Sequence, residues 1–325
     1  MSKSTSALLF VLLKAAITVS LIVVIFMKID FSVLARHLDA GGAAYLFLGT
    51  LLLAINVLVV GVRWWLLLRR LGVDALSLGY ASAGTYASVF VGQATPGPIG
   101  ADAVRGWLCY ARGVALRTII MSLVTDRLLA LVGLVGVSFV VWYWQFDAAG
   151  RSVGWQIAIL AVLVAAGAAF VLWVMPAATR NLAKRWPLLR KLHELLAIFR
   201  FTALSGAGAA GLLLSCVVVA LTVSAVVVFA AGFGIALAPS VAYLVVPIAV
   251  LFSSLPISIG GWGVREASLS YGLILFGLRP DDAALLGLAL GIGLLLASLP
   301  GGIVMLLLGG QARPALRRAG SGLID

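Results

Sequence analysis

Charge is scarce in this sequence. Asp, Glu, Lys and Arg together make up 10% of 325 residues, with only 11 acidic side chains, whereas soluble domains carry roughly 25% charged residues. Together with 63% hydrophobic residues and a mean hydropathy of +1.18, that scarcity excludes a water-soluble fold, which could not cover so much apolar surface. Cysteine and histidine are rarer still, at two each. Cys109 and Cys216 sit in apolar segments without metal-type spacing, so neither a disulfide framework nor a thiolate metal site is expected. His37 and His193 lie in interfacial segments with no second histidine nearby. Long polar stretches are missing too. The longest, residues 176–205, has about 30 residues, too few for a soluble domain, so any activity is expected inside the membrane part. There is no P-loop pattern, no nucleophile–base constellation and no cluster of metal ligands, so catalysis, ATP hydrolysis and a bound cofactor are not expected.

What is present is apolar sequence in long runs. Residues 8–26 and 206–231 reach or exceed the ~18 apolar residues that mark a membrane-spanning helix, whereas barrel strands would alternate over ~10 residues. The expected fold class is all-α, a polytopic helical membrane protein forming a single transmembrane domain over residues 1–325. The net charge of +12 is no sign of nucleic acid, because the basic residues fall in short segments between apolar runs, the pattern of topology signals. Lys3, Lys14 and the run after them lack a small-residue cleavage site and are expected to be a retained first span.

The charges also fix a path. Residues 176–205 (Arg180, Lys184, Arg185, Arg190, Lys191, Arg200) and the tail from residue 311 (Arg313, Arg317, Arg318) are basic and expected at the cytoplasmic face, as is 63–77 with Arg63, Arg69 and Arg70. Residues 145–153 and 232–239 are nearly uncharged and expected outside. Residues 78–115 must then begin and end inside, and 240–277 must begin and end outside. Each is broken in its middle, the first at Thr95-Pro96-Gly97-Pro98 and the second at Ser254-Leu255-Pro256 and Ile259-Gly260-Gly261. Pieces of about 15 residues give helices of only ~22 Å, short of a ~30 Å hydrocarbon core. Six full spans and two oppositely oriented re-entrant helical hairpins are expected, with both termini cytoplasmic. Residues 182–201 read as an amphipathic surface helix within the 176–205 connection.

The two breaks resemble one another. Pro96-Gly-Pro-Ile-Gly100-Ala-Asp-Ala-Val-Arg105 and Pro256-Ile-Ser-Ile-Gly260-Gly-Trp-Gly-Val-Arg265 share P-x-x-I-G-x-x-x-V-R at a spacing of 160 residues. With the opposed topology this predicts an inverted repeat, with halves at approximately 41–144 and 206–309. Inverted repeats whose helices break at matching positions mark secondary transporters, with the substrate near the midplane where the breaks meet. A helix restarting after such a break presents free N–H groups and a positive dipole end, suited to phosphate or carboxylate. Pro96, Gly100, Pro256, Gly260 and Gly261 are therefore candidate site residues, and so are Arg105 and Arg265, which fall in the first two turns of the restarted helices. An arginine at depth costs at least ~2.5–3.5 kcal/mol and needs a cavity, a partner or an anionic ligand. Asp102 and Glu266 are candidate partners, and Asp126 with Arg127 is expected to form a second buried pair. The spacing Gly287-x-x-x-Gly291 reads as tight helix packing.

The two motifs and Thr125-Asp-Arg127 between them resemble the flippase-like transmembrane domain of lysylphosphatidylglycerol synthases over most of the chain. Asp102 stands where the family pattern G-E-x-x-R has glutamate, which keeps the charge, and Ala130 stands where an acidic residue often follows the later pair. The resemblance implies the movement or handling of an anionic-headgroup lipid, phospholipid or isoprenoid-linked, between the leaflets of a bacterial inner membrane. It does not imply lipid synthesis, because the aminoacyl-transferase part of those synthases is a separate soluble domain. The alternatives are an intramembrane lipid-modifying enzyme using Asp102, Asp126 or Glu266 as base, and a non-transporting accessory subunit that partners lipid-biosynthetic enzymes.

Overall fold

A computed structural model of the chain describes residues 40–95, 99–148, 187–255 and 258–311. Within them the fold is all helical, with no strand: α1 (Ala40–Arg70), α2 (Leu78–Gly92), α3 (Ile99–Tyr110), α4 (Leu116–Ala148), α5 (Pro187–Ala203), α6 (Gly206–Gly232), α7 (Pro239–Ser253), α8 (Val264–Leu275) and α9 (Pro280–Gln311). Four stretches, Gly41–Arg70, Leu116–Val141, Gly206–Gly232 and Pro280–Leu307, are long and apolar enough to cross a bilayer. These are four of the six expected crossings, and the chain is a multi-pass membrane protein. The expected first span, the span between 145–153 and 176–205, and the basic tail lie outside the described residues, as do Pro96 and Pro256.

The helices start and stop for local reasons. Ser77 and Ser205 cap α2 and α6, their side chains accepting from the backbone N–H of Tyr80 and Gly208, which satisfies donors that a helix start leaves open. Pro239 sits at the first position of α7, where its missing N–H costs nothing.

Helices in lipid gain little by burying apolar faces against each other, so they associate through close packing at small residues and through hydrogen bonds. The α1–α6 contact has both. The Phe229 ring occupies the space beside Gly49, and Asn56 donates from Nδ2 to the Val218 carbonyl at 2.8 Å and to Thr222 Oγ1 at 2.9 Å. Leu53, Val226 and Phe229 continue into one buried cluster with Leu269 and Leu273 of α8 and Leu286 and Leu290 of α9. A second cluster joins Trp64 and Leu68 of α1 to Ala81, Cys109 and Ile119.

The short helices pair as hairpins. Near the base of the first, Tyr80 donates its hydroxyl to the Leu108 carbonyl at 3.2 Å, while Gly92 faces Ala101 near the tip. In the second, Gly272 packs on Val245 and Gly261 faces Ser253. Helices of 15 and 12 residues extend ~22 and ~18 Å. The tips touch, with Gly260 donating its N–H to the Thr95 carbonyl at 2.8 Å. Both hairpins also lean on α9. Gly301 and Gly302 pack against Tyr86 and Phe90 of α2, and Gly287 and Gly291 against Glu266 and Arg265 of α8, so the G-x-x-x-G spacing is a packing surface. The first hairpin leans in addition on α1, and the second on α4 and α6. The α5 helix is tied to α4 by Arg117 and Glu194 at 3.2 Å and to α1 by Arg70 over the Phe201 ring at 3.6 Å.

Candidate functional site

Arg63, on α1, lies seven residues before the helix end, ~10 Å along its axis. Asp126, on α4, lies ten residues after Leu116, ~15 Å along. The arginine side chain spans the difference, so Arg63 Nε donates to Asp126 Oδ1 at 2.7 Å and Arg63 Nη1 to Ser215 Oγ of α6 at 3.0 Å. From α3, Arg105 Nη1 donates to the other oxygen of Asp126 at 3.0 Å, and Nη2 to Asp102 Oδ1 at 2.5 Å. Arg127 completes the chain, its Nε and Nη2 reaching Asp102 Oδ2 and Oδ1 at 3.0 and 2.9 Å. Five charges thus alternate from α1 through α4 and α3 and back to α4. Arg63 and Arg105 are each 3% exposed and Asp126 1%, while the Arg127 side chain, at 42%, forms the open end.

This network lines a cavity of about 440 Å³, whose polar end is Arg63, Arg105, Asp126 and Arg127 and whose walls include Val219, Val246 and Leu251. Leu134 and Leu251 are shared with an apolar groove of about 570 Å³ that runs between α4, α7 and α8 past Phe139, Ile248 and Tyr271. A charged recess thus adjoins a hydrocarbon-lined one, with Leu134 and Leu251 in the walls of both.

The family model for the lysylphosphatidylglycerol synthase TM region matches residues 11–305. The chain belongs to that family. No curated protein and no solved structure matches it.

In this lysylphosphatidylglycerol synthase TM-region protein the candidate residues separate into two groups. Arg105, Asp102, Asp126 and Arg127 join in one network. Asp126 and Arg127 do not pair with each other as expected, because successive helix residues point ~100° apart. Asp126 turns to Arg63 and Arg105, and Arg127 turns to Asp102. Arg265 does not line this cavity. It is buried against the ring of Trp262, 5.0 Å away, and donates from Nε and Nη2 to Glu266 Oε1 at 3.1 and 2.6 Å. Glu266 also accepts from the Gly263 N–H at 2.5 Å, which caps α8. The two motifs therefore do not place two equivalent arginines around one ligand. Gly260, Gly261 and Gly263 all take positive φ, a conformation open to glycine at little cost. Helix α8 accordingly starts only at Val264, whereas the corresponding stretch Ala101–Ala103 is already helical. Gly100 lies against Thr95, Gly260 against Gln93 and Gly261 against Ser253, so all three shape the tips.

The sequence reading used Arg63 only as a boundary charge. The signal was its position seven residues inside the run ending at Arg70, deeper than an interfacial arginine needs to be.

Proposed function

We propose that this protein binds the anionic headgroup of a membrane lipid in the charged cavity and passes the lipid between the leaflets of a bacterial inner membrane, with the hydrocarbon tail held in the adjoining groove. The single observation that carries the reading is the junction of the two recesses at Leu134 and Leu251. A soluble anion needs no apolar extension, and a purely structural ion network needs no cavity. Arginine suits the task because its planar fork binds phosphate oxygens in pairs. The two tip-touching hairpins and the matching helix lengths, 31, 15, 12 and 33 residues against 27, 15, 12 and 32, support re-entrant elements of an inverted repeat that rock about a central site. Transport in this scheme is downhill or coupled to an ion gradient.

The test is leaflet exchange of a headgroup-labelled phospholipid in proteoliposomes, read with a membrane-impermeant quencher. Wild type should exchange the label, and Arg63→Gln and Arg105→Gln should slow exchange at least tenfold. Wild-type rates in both variants, with folding intact, refute the site. A wild type that exchanges nothing refutes transport and favours an accessory role beside lipid-biosynthetic enzymes.

A further inference from the structure

We propose that the cavity selects lipids whose headgroup is a singly charged phosphodiester carrying hydroxyl groups, and rejects both phosphomonoester lipids and aminoacylated lipids with a net positive headgroup. This rests on the lipid-handling reading above and narrows it to a substrate class.

The first ground is charge. Arg63, Arg105 and Arg127 contribute three positive charges and Asp102 and Asp126 two negative ones, all linked by hydrogen bonds, which leaves the network one positive charge in excess. A single phosphodiester neutralises it. A phosphomonoester, near −1.5 to −2 at neutral pH, overshoots, and an aminoacylated headgroup adds positive charge to a site already positive. Uncompensated charge in a desolvated recess is strongly unfavourable.

The second ground is the hydrogen-bond inventory. Both oxygens of Asp126 and both of Asp102 already accept from arginines. Asp126, the one carboxylate among the described lining residues, thus has its charge shared between two guanidinium groups, and an ammonium would meet no unpaired counter-charge. What remains is donors: the Arg127 guanidinium stands at the open end of the network, 42% exposed, where its outer N–H groups give a phosphate oxygen charge-assisted bonds. The lining hydroxyls of Thr85, Ser88 and Ser254 donate to carbonyls of their own helix, so they offer lone pairs. Neutral acceptors suit the hydroxyls of a polyol, whereas a desolvated ammonium demands a counter-charge.

The experiment is native mass spectrometry of the purified full-length protein with an equimolar mixture of phosphatidylglycerol, phosphatidic acid, phosphatidylethanolamine and lysylphosphatidylglycerol. The expected result is retention of phosphatidylglycerol at least tenfold above the other three. Equal or greater retention of phosphatidic acid or the lysylated lipid overturns the selectivity and leaves lipid binding standing. Retention of no lipid removes the lipid-handling reading and this inference with it. Two variants at the open end of the network read the charge directly. Arg127→Gln brings the excess to zero and should abolish the preference for phosphatidylglycerol over phosphatidylethanolamine. Asp102→Asn raises the excess to two and should increase retention of phosphatidic acid severalfold. With gel filtration confirming folded protein, ratios that stay put in both variants overturn the inference, and either variant alone suffices if the other misfolds.

Discussion

Asp126→Asn isolates what the charged network contributes to stability. In the wild type one carboxylate serves two arginines, at 2.7 Å to Arg63 and 3.0 Å to Arg105, and all three side chains are withdrawn from solvent. The amide keeps the volume but removes the charge, and its single carbonyl oxygen cannot serve both guanidinium groups. Removing one partner of a buried ion pair costs about 3–5 kcal/mol, since the remaining charge is left uncompensated. Here two cations lose their partner, so the upper half of that range applies, offset by the access that Arg105 has to Asp102. At about 2–4 °C per kcal/mol for chains of this order, Tm in detergent, followed by tryptophan fluorescence, should fall by on the order of 10 °C. The cycle with Arg63→Gln apportions the effect. The double variant should be more stable than the sum of the single losses predicts, by at least about 1 kcal/mol, as expected for residues in contact. A Tm within about 1 °C of wild type would show that cavity water compensates both arginines, and the argument from burial would fail.

Other outcomes follow from the packing. Gly260→Ala places a methyl group on the Gln93 carbonyl at a φ of +61°; the backbone cost alone is about 1–2 kcal/mol, and the added clash should part the hairpin tips and depress both Tm and lipid exchange. Gly291→Val inserts a side chain where Glu266 Oε1 and Arg265 Nη2 lie 2.7 and 3.0 Å from the position its Cβ would take, and thermal unfolding should show a loss of about 1–3 kcal/mol from overpacking. Asn56→Leu removes both bonds from α1 to α6, and the loss measured in the same assay should be near 0.6 kcal/mol per bond, the average for hydrogen bonds between helices in a membrane.

The spans and breaks were legible because lipid imposes demands that sequence must meet directly. A crossing needs about 20 apolar residues, and α1, α4, α6 and α9 carry them. A break needs proline and glycine, and α2 ends at Gly92 and α3 resumes at Ile99 around Pro96-Gly97-Pro98. The local pairs were legible for the same reason, since Asp102 and Arg105 share a helix face and Glu266 adjoins Arg265. Arg63 was not, because its burial depends on Asp126 and Ser215, 63 and 152 residues away, and no local pattern announces such a meeting. Arg105 and Arg265, both candidate site residues, stand in different surroundings for a subtler reason. The letters of the two motifs match, but Gly261 and Gly263 uncoil the chain where Ala101 and Ala103 keep it helical, and that difference turns Arg265 toward α9.

The supports of the two hairpins reach across the chain. The first hairpin, between α1 and α4 in sequence, packs on α9 as well as on α1, and the second, between α6 and α9, packs on α4 as well as on α6 and α9. The first hairpin therefore lacks part of its cover until the last helix is in place. During synthesis the first hairpin must wait nearly 200 residues for Gly301 and Gly302 to arrive, so its final seating is among the last steps of assembly. A chain cut between α4 and α6 should regain its structure only when both pieces are made in the same membrane, like clasped hands that hold only as a pair.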